Sequence, residues 1–394
     1  MLKIRFKIML KALSTQLITL LIITISVVVS AQAQTLIPAA PQLAAKSWIL
    51  IDANTGRVLV EANADLPLPP ASLTKIMSSY VVAGEMASGK FSDADQVPIS
   101  VTAWKMGGSK MFVREGTEVP LGDLLKGIII QSGNDATVAM AEFLAGSESA
   151  FADVMNQQAV LLGMKSSYFV NATGWPAEGH ITTARDLSLL AQALILEHPS
   201  HYALYAEKYY EYNGIKQPNR NRLLWRDKSV DGMKTGHTEE AGYCLVASAE
   251  RNGMRLISVV MGTNSEEARA QESQKLLTYG FRYYETTKVF SAGDVLQADN
   301  RVWFGERDSV DLVLAEDVFL TFPRGAKAQL DSNIHVDATL EAPLTEQQEL
   351  GRLVVTYKDE VLADKKLVAA QPIAEAGLFS RLWDSLVLFV MSLL

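Results

Sequence analysis

The sequence predicts an α/β (α+β) domain built on an antiparallel sheet flanked by helices, followed by a small all-β domain and a C-terminal amphipathic helix. Three observations carry this. Apolar residues recur at helical spacing in Leu73 to Met86 and in Ala184 to Leu196, alongside strand-like runs at Trp48 to Ile51 and Tyr243 to Val260. Near Thr286 the helical pattern stops, and alternating runs at Val310 to Leu314, Val318 to Phe322 and Leu353 to Tyr357 are separated by Arg324-Gly325 and Lys358-Asp359. From Gly377 a helical period returns with one apolar side.

The chain begins with Lys3, Arg5 and Lys7, continues through an apolar stretch from Leu17 to Val29 and closes with Ala31-Gln32-Ala33. That is the layout of a signal peptide over residues 1–33; the alternative is an uncleaved N-terminal membrane helix. The 394 residues carry a net charge of −8, and residues 1–33 hold four basic and no acidic side chains. Their removal leaves 32 basic against 44 acidic side chains, a net charge of −12. So acidic a chain is a poor nucleic-acid binder. The remaining length suits two domains: residues 34–286 as the larger, 287–376 as the β-rich one and 377–394 as the terminal helix.

Ser72-Leu73-Thr74-Lys75 follows Pro69-Pro70, where a helix can begin, and sets a hydroxyl and an amine three residues apart on one helical face. A serine hydroxyl is a poor nucleophile until a neighbour takes its proton, which a lysine does when desolvation and nearby cations keep it neutral. Taken alone, the tetrapeptide also fits an ordinary first helical turn with a solvated lysine.

Ser132-Gly133-Asn134 lies between two apolar helical patterns, Leu121 to Ile130 and Ala136 to Leu144, and reads as a tight interhelical turn with Asp135 capping the second helix. Lys234-Thr235-Gly236 precedes the runs Gly242 to Ser248 and Arg255 to Met261, which are joined at Asn252-Gly253. Asn-Gly between β-rich runs signals a hairpin, so the lysine motif belongs on or beside an antiparallel strand. Each motif alone is compatible with a plain turn or a solvated strand end.

Cys244, the only cysteine, lies in a strand-like run and reads as a small buried hydrophobe. The five histidines are scattered without HExxH or CxxC; His198 and His201 could share a face, but Pro199 between them favours a loop. No metal or cofactor is expected, and there is no GxSxG elbow of a Ser-His-Asp hydrolase.

With SxxK, SxN and KTG in this order, the sequence resembles the penicillin-binding serine DD-peptidases, a superfamily that includes the class A β-lactamases. More closely, it resembles the low-molecular-weight D-alanyl-D-alanine carboxypeptidases, in SWILIDANTG (47–56), QSGNDATVA (131–139), DGMKTGHT (231–238) and KLLTYGFRYYE (275–285). The resemblance implies a penicillin-binding/β-lactamase-like transpeptidase domain that removes the terminal D-alanine from peptidoglycan stem peptides and is acylated by β-lactams. It implies Ser72 as nucleophile, Lys75 as proton acceptor with Lys234 helping to keep it neutral, and Ser132 as relay to the departing amine. Asn134 would bind a substrate amide or hold Lys75. The backbone amides of Ser72 and of His237, next to Gly236, would hold the oxyanion. Thr235 and Arg220 match positions that grip the substrate carboxylate, a task suited to a planar guanidinium; without the resemblance Arg220 reads as a surface turn residue.

Three departures bear on rate and preference. Val101 to Phe112 is a few residues shorter than in the best-known relatives, Pro176 stands in GWPAEGH (174–180) where some relatives place an aspartate, and Arg226 to Val230 is one residue short. A β-lactamase, and a binding module that acylates without turnover, remain open as alternatives. At the C-terminus, Leu378, Leu382, Leu386, Phe389 and Leu393 form one stripe with Arg381, Ser385 and Ser392 opposite, and Trp383 lies near the middle. Such a helix lies in a membrane interface, implying the periplasmic face of the inner membrane; docking on the β domain and a dimer contact are the alternatives.

Overall fold

The computed structural model describes residues 37–337 and 339–392; the expected signal peptide and Leu393 lie outside them. A five-stranded antiparallel sheet forms the centre of the first domain. Its strands are β1 (Ser47–Asp52), β2 (Val58–Ala62), β3 (Val230–Thr238), β4 (Gly242–Arg251) and β5 (Met254–Thr263), in the order β2-β1-β5-β4-β3. Every residue of β1 is buried because both faces of the sheet are covered. Ile49, Ile51, Ile257 and Val259 point into the main core. Leu50 and Leu256 point the other way, under Gly280 of the long helix that follows β5, where an added Cβ would crowd both. The alternation is the period of two expected of a pleated strand.

The hairpin between β4 and β5 turns at Asn252 and Gly253, both with positive φ (52° and 79°). Asn-Gly is suited to this because the primed two-residue turns need left-handed backbone at both positions.

Six helices bear on the site and the terminus: α1 (Thr74–Ala87), α2 (Leu121–Gln131), α3 (Asn134–Ala145), α4 (Ala184–Glu197), α5 (Glu266–Tyr283) and α6 (Leu378–Met391). Two expectations are corrected. Asp135 does not cap α3: the cap is Gly133, and Asp135 sits in the first turn. Its buried carboxylate instead accepts the backbone N–H groups of Met111 and Phe112, each at 2.8 Å, and of Val113 at 3.2 Å. The segment 198–202 is not a loop: Pro199 opens a short helical turn, Pro199–Tyr202, since the first helical position needs no N–H. His201 Nε2 there lies 2.6 Å from Ser79 Oγ, while His198 packs edge-on against Tyr80.

Directly after α5 the chain enters strand Tyr284–Phe290, which pairs with Val318–Pro323. Six strands, one of them only two residues long, form a second sheet, and Leu312, Leu320, Phe322, Leu353 and Leu367 belong to the core between it and this pair. The three expected β runs are strands, and Gly325 and Lys358 turn with positive φ. The domains meet at a hydroxyl cluster. Thr286 Oγ1 donates to Asp52 Oδ2 at 2.6 Å, and Thr321 Oγ1 lies within 2.9 Å of the hydroxyls of both Thr55 and Thr286. Arg57 adds a bond to the Thr321 carbonyl and an ion pair to Glu360 at 2.6 Å.

Helix α6 departs from the simple polar-versus-apolar picture. The side facing the body holds Asp384, only 7% exposed, which accepts the Phe304 N–H at 2.7 Å and sits 3.5 Å from Arg301. Leu378, Phe379 (88% exposed), Leu382, Trp383, Leu386 and Phe389 point to solvent. The helix docks on the β domain through its carboxylate, not its apolar stripe. Among the described residues no helix is long and apolar enough to cross a membrane.

Candidate active site

Ser72 lies in a short 3-10 turn, Ala71–Leu73, immediately before α1. Ala71 adopts left-handed backbone, φ +48°, a conformation that a residue with a Cβ keeps only when its surroundings enforce it. They do so from three sides. An added Cβ on Gly174 would collide with the Ala71 carbonyl oxygen, so the chain passes where only glycine fits. Thr74 Oγ1 donates to the same oxygen at 2.8 Å and lies 2.8 Å from His180 Nε2. Since His180 Nδ1 accepts the Val170 N–H at 3.1 Å, the ring's proton is on Nε2 and is donated to Thr74. Burial, then the Lys75 charge, pushes the His180 pKa down to about 4, which keeps that neutral tautomer in place. On the third side Gly236 of β3 is close-packed, its absent Cβ leaving room for Pro70, Leu73 and Ala71.

Lys75 follows one turn on and is 1% exposed. Its Nζ lies 2.7 Å from Asn134 Oδ1, 2.6 Å from the Thr173 carbonyl and 3.3 Å from Ser72 Oγ. A neutral amine has two hydrogens and one lone pair. The two strong acceptors take the hydrogens, which leaves the lone pair for the Ser72 hydroxyl. The amine pKa falls to about 7, first through burial and then through the Arg220 charge, with Glu148 and Asp135 opposing. The leading cationic influence on Lys75 is thus Arg220 and not, as the sequence suggested, Lys234. Lys234 is itself buried and pushed well down, by burial and then by Lys75, Arg220 and Arg269.

Ser132 ends α2 in left-handed conformation, φ +63°. It is 3% exposed, and its Oγ has no hydrogen-bond partner. Buried hydroxyls are almost always satisfied, so an orphan in a cleft marks a group kept for something that binds there. Asn134 is engaged at both ends of its amide: Oδ1 serves Lys75, and Nδ2 donates to the Gly107 carbonyl at 2.8 Å. Of the two roles expected for it, holding Lys75 is the one its bonds match. The Val101 to Phe112 segment does border the site, as Ser109 O accepts the Asn134 N–H at 2.7 Å.

Two arms of a cleft meet at Ser72. The smaller, about 200 Å³, is lined by Ser132, Arg220, Thr235, His237 and Arg269. Arg220 is held between two asparagines anchored to backbone: Asn219 donates to Glu207 O at 3.0 Å and Asn221 to Gly232 O at 2.8 Å. The larger arm, about 650 Å³, runs past Gly108, Trp175, Pro176 and Thr238. Strand β3, the edge of the sheet, borders both. His237 stacks on Tyr243 with ring centres 3.9 Å apart.

All nine residues singled out in the sequence therefore lie in or against one cleft. Several participants were missed. Arg269, 35 residues beyond Lys234 in α5, is buried and donates to Gly236 O at 3.3 Å. The Thr173 carbonyl and the His180 and Thr74 supports gave no local signal. Gly174 lies in the GWPAEGH segment, but its spacing to Ala71 exists only in three dimensions.

A serine and a lysine of lowered pKa at a turn packed against the KTG strand, with a second serine across the cleft, define a penicillin-binding type of acyl-transfer fold. The D-alanyl-D-alanine carboxypeptidase family matches residues 34–265, and the penicillin-binding protein 5 C-terminal domain matches residues 284–375. The chain belongs to this carboxypeptidase family. It is 45% identical over 359 residues to D-alanyl-D-alanine carboxypeptidase DacA of Escherichia coli K12, covering 89% of each chain. Penicillin-binding protein 5 from Haemophilus influenzae is 40% identical and superposes with a TM-score of 0.81 over 86% of this chain and all of that one. Penicillin-binding protein D2 from Listeria monocytogenes in its ampicillin-bound form is 31% identical, with a TM-score of 0.57 over 61% of this chain and all of that one.

Proposed function

We propose that the protein is a serine D-alanyl-D-alanine carboxypeptidase that trims the terminal D-alanine from peptidoglycan stem peptides. The observation that carries this is the arrangement at Lys75, whose Nζ lies within reach of Asn134 Oδ1, the Thr173 carbonyl and Ser72 Oγ, so that its neutral form, with hydrogens on the first two, turns its lone pair to Ser72. Ser72 Oγ attacks the carbonyl carbon of the penultimate D-alanine as its proton passes to Lys75. The oxyanion is held by the backbone amides of Ser72 and His237. The carbon–nitrogen bond then breaks, the departing amine takes a proton through Ser132, and the terminal D-alanine leaves. Water releases the acyl group. Arg220 and Thr235 hold the substrate carboxylate, with Lys234 and Gly236 shaping that arm, while the β3 edge aligns the stem as an added strand.

A β-lactam acylates the same serine, but its departing nitrogen stays tethered. The catalytic domain covers residues 34–286, the β-rich domain 287–376 and the anchor 377–394, after a signal peptide at 1–33. The outward face of α6 supports seating at the periplasmic face of the inner membrane, because exposed leucine, phenylalanine and tryptophan side chains lower their free energy at a lipid interface.

The test is to incubate the protein with a diacyl-Lys-D-Ala-D-Ala tripeptide and with nitrocefin. Free D-alanine without rapid ring opening is expected, and mass spectrometry after penicillin treatment should place one adduct on Ser72. Rapid ring opening would instead make it a β-lactamase, and labelling without either turnover a binding module. An adduct elsewhere, or full activity in Ser72→Ala, would refute the assignment.

A further inference from the structure

The segment Phe169 to Trp175 is neither helix nor strand, yet side chains take up most of its backbone. Asn156 pairs with both the N–H and the carbonyl of Phe169, each at 2.8 Å. Asn171 Oδ1 accepts the N–H groups of Thr173, Gly174 and Trp175 at 3.2, 2.8 and 3.1 Å. Helix α1 holds the segment twice, one turn apart: Ser78 Oγ donates to the Ala172 carbonyl at 2.7 Å, and Lys75 Nζ lies 2.6 Å from the Thr173 carbonyl. An irregular segment is fixed by the polar side chains that reach it.

One of these clamps carries a charge. Glu148, first residue of the helix Glu148–Leu161, accepts the Ala172 N–H at Oε1, 3.1 Å away. It is half-buried and has no ion pair among the described residues. The acids around it are engaged elsewhere: Glu142 Oε2 accepts Ser100 Oγ at 2.6 Å, and Asp135 accepts the amides of Met111, Phe112 and Val113. A neutral amide oxygen would also satisfy Ala172, and burying a carboxylate is the costlier choice. The charge therefore points beyond that bond. The cation acting on Glu148 is Lys75, and among the acids that oppose the downward push on Lys75 Glu148 comes first.

We propose that Glu148 is a positioning residue for the Ser72–Lys75 pair, seating through Ala172 the segment that orients the lysine and offsetting the Arg220 charge with its own. This rests on the carboxypeptidase reading. Lys75 must be neutral to take the Ser72 proton, yet basic enough to hold it until the carbon–nitrogen bond breaks. Arg220 presses for the first, and Glu148, with Asp135, for the second. Of the other titratable groups that interact with Lys75, Lys234 is itself driven towards neutrality, and His180, pushed down to about 4, is uncharged above that pH.

The experiment follows single-turnover acylation by benzylpenicillin from pH 5 to 9. Glu148→Gln keeps an acceptor for Ala172 and loses the charge, so its acid limb should move to lower pH by roughly 0.5–1 unit, opposite in direction to Arg220→Gln. Its rate above the limb should drop about 2–5-fold, because a weaker base accepts the proton less readily. Glu148→Ala should shift the limb equally and lose about a further tenfold in rate, the part owed to the seat of Ala172. Ser78→Ala also frees Ala172 but changes no charge, and its limb should stay in place. A limb that stays or rises in both Glu148 variants, one that moves as far in Ser78→Ala, or equal rates in the two Glu148 variants overturns the proposal. Release of D-alanine from the diacyl tripeptide by the native protein then leaves the carboxypeptidase reading intact. Native protein that neither acylates at Ser72 nor releases D-alanine overturns both.

Discussion

The cleft and the C-terminal helix each hold a buried, hydrogen-bonded charged side chain, Lys75 and Asp384, to different ends. Lys75 is enclosed by two carbonyl-type oxygens and pushed by burial and Arg220 towards neutrality. Asp384 meets a backbone N–H and an arginine, groups that satisfy a carboxylate. In the first place the surroundings oppose the charge and poise a proton for transfer; in the second they complement it and orient a helix. Burial alone therefore does not say what a charged residue is for; whether its neighbours offset the loss of solvation does.

The comparison is broken most severely at Lys75. Replacing it by alanine should slow penicillin acylation by about 10²–10⁴-fold, the usual contribution of a positioned base. In the native protein a lysine whose pKa is lowered to about 7 accepts a proton only above that pH. The acylation rate should therefore fall about tenfold per pH unit below 7, and a flat profile between pH 5 and 9 would remove Lys75 from its role. Removing the Arg220 charge relieves the second cause of the shift, so Arg220→Gln should move the acid limb to higher pH.

Next in size is Gly174→Ala, which sets a methyl group against the Ala71 carbonyl and requires φ +81° of a residue with a Cβ. A loss of about 2–4 kcal/mol in stability is expected, read by urea denaturation, and acylation should fall further than in a surface glycine control such as Gly253→Ala. Equal effects in the two would mean that the Ser72 turn does not depend on this contact.

The smallest effect is expected at Asp384. Asp384→Ala leaves the apolar stripe intact but removes the latch to Phe304, so binding to anionic vesicles should persist while amide exchange across residues 378–391 accelerates about tenfold, the equivalent of one lost charge-assisted hydrogen bond. Deletion from Gly377 should abolish vesicle binding with kcat/KM on a soluble tripeptide unchanged. Sedimentation of the truncated form with membranes would move the anchor elsewhere.

Much of this was legible in the chain because it is written in local chemistry. The Asn252-Gly253 hairpin follows from two residues that tolerate left-handed backbone, and the Ser72–Lys75 pairing from the pitch of one helical turn. Cys244 was read from its apolar strand, and it is buried with a thiol pKa pushed up to about 11 by desolvation. Other features were not legible. Asp135 carries the residue type of a helix cap but was recruited by three amides from a loop more than 20 residues away, because a buried carboxylate takes the nearest unsatisfied donors whatever their place in sequence. Asp384 was hidden for the same reason: nothing within the helix points to Phe304.

The sequence by itself determined the strands, the order of the three motifs and the apolar stripe at the terminus, since each depends on residue type and on periods of two or about 3.6. Only the tertiary structure decided which cation acts on Lys75, which backbone stands against Ala71 and which side of α6 faces outward. Those depend on distances of a few ångströms between segments far apart in the chain, where desolvation and close packing act and where no short-range pattern records them.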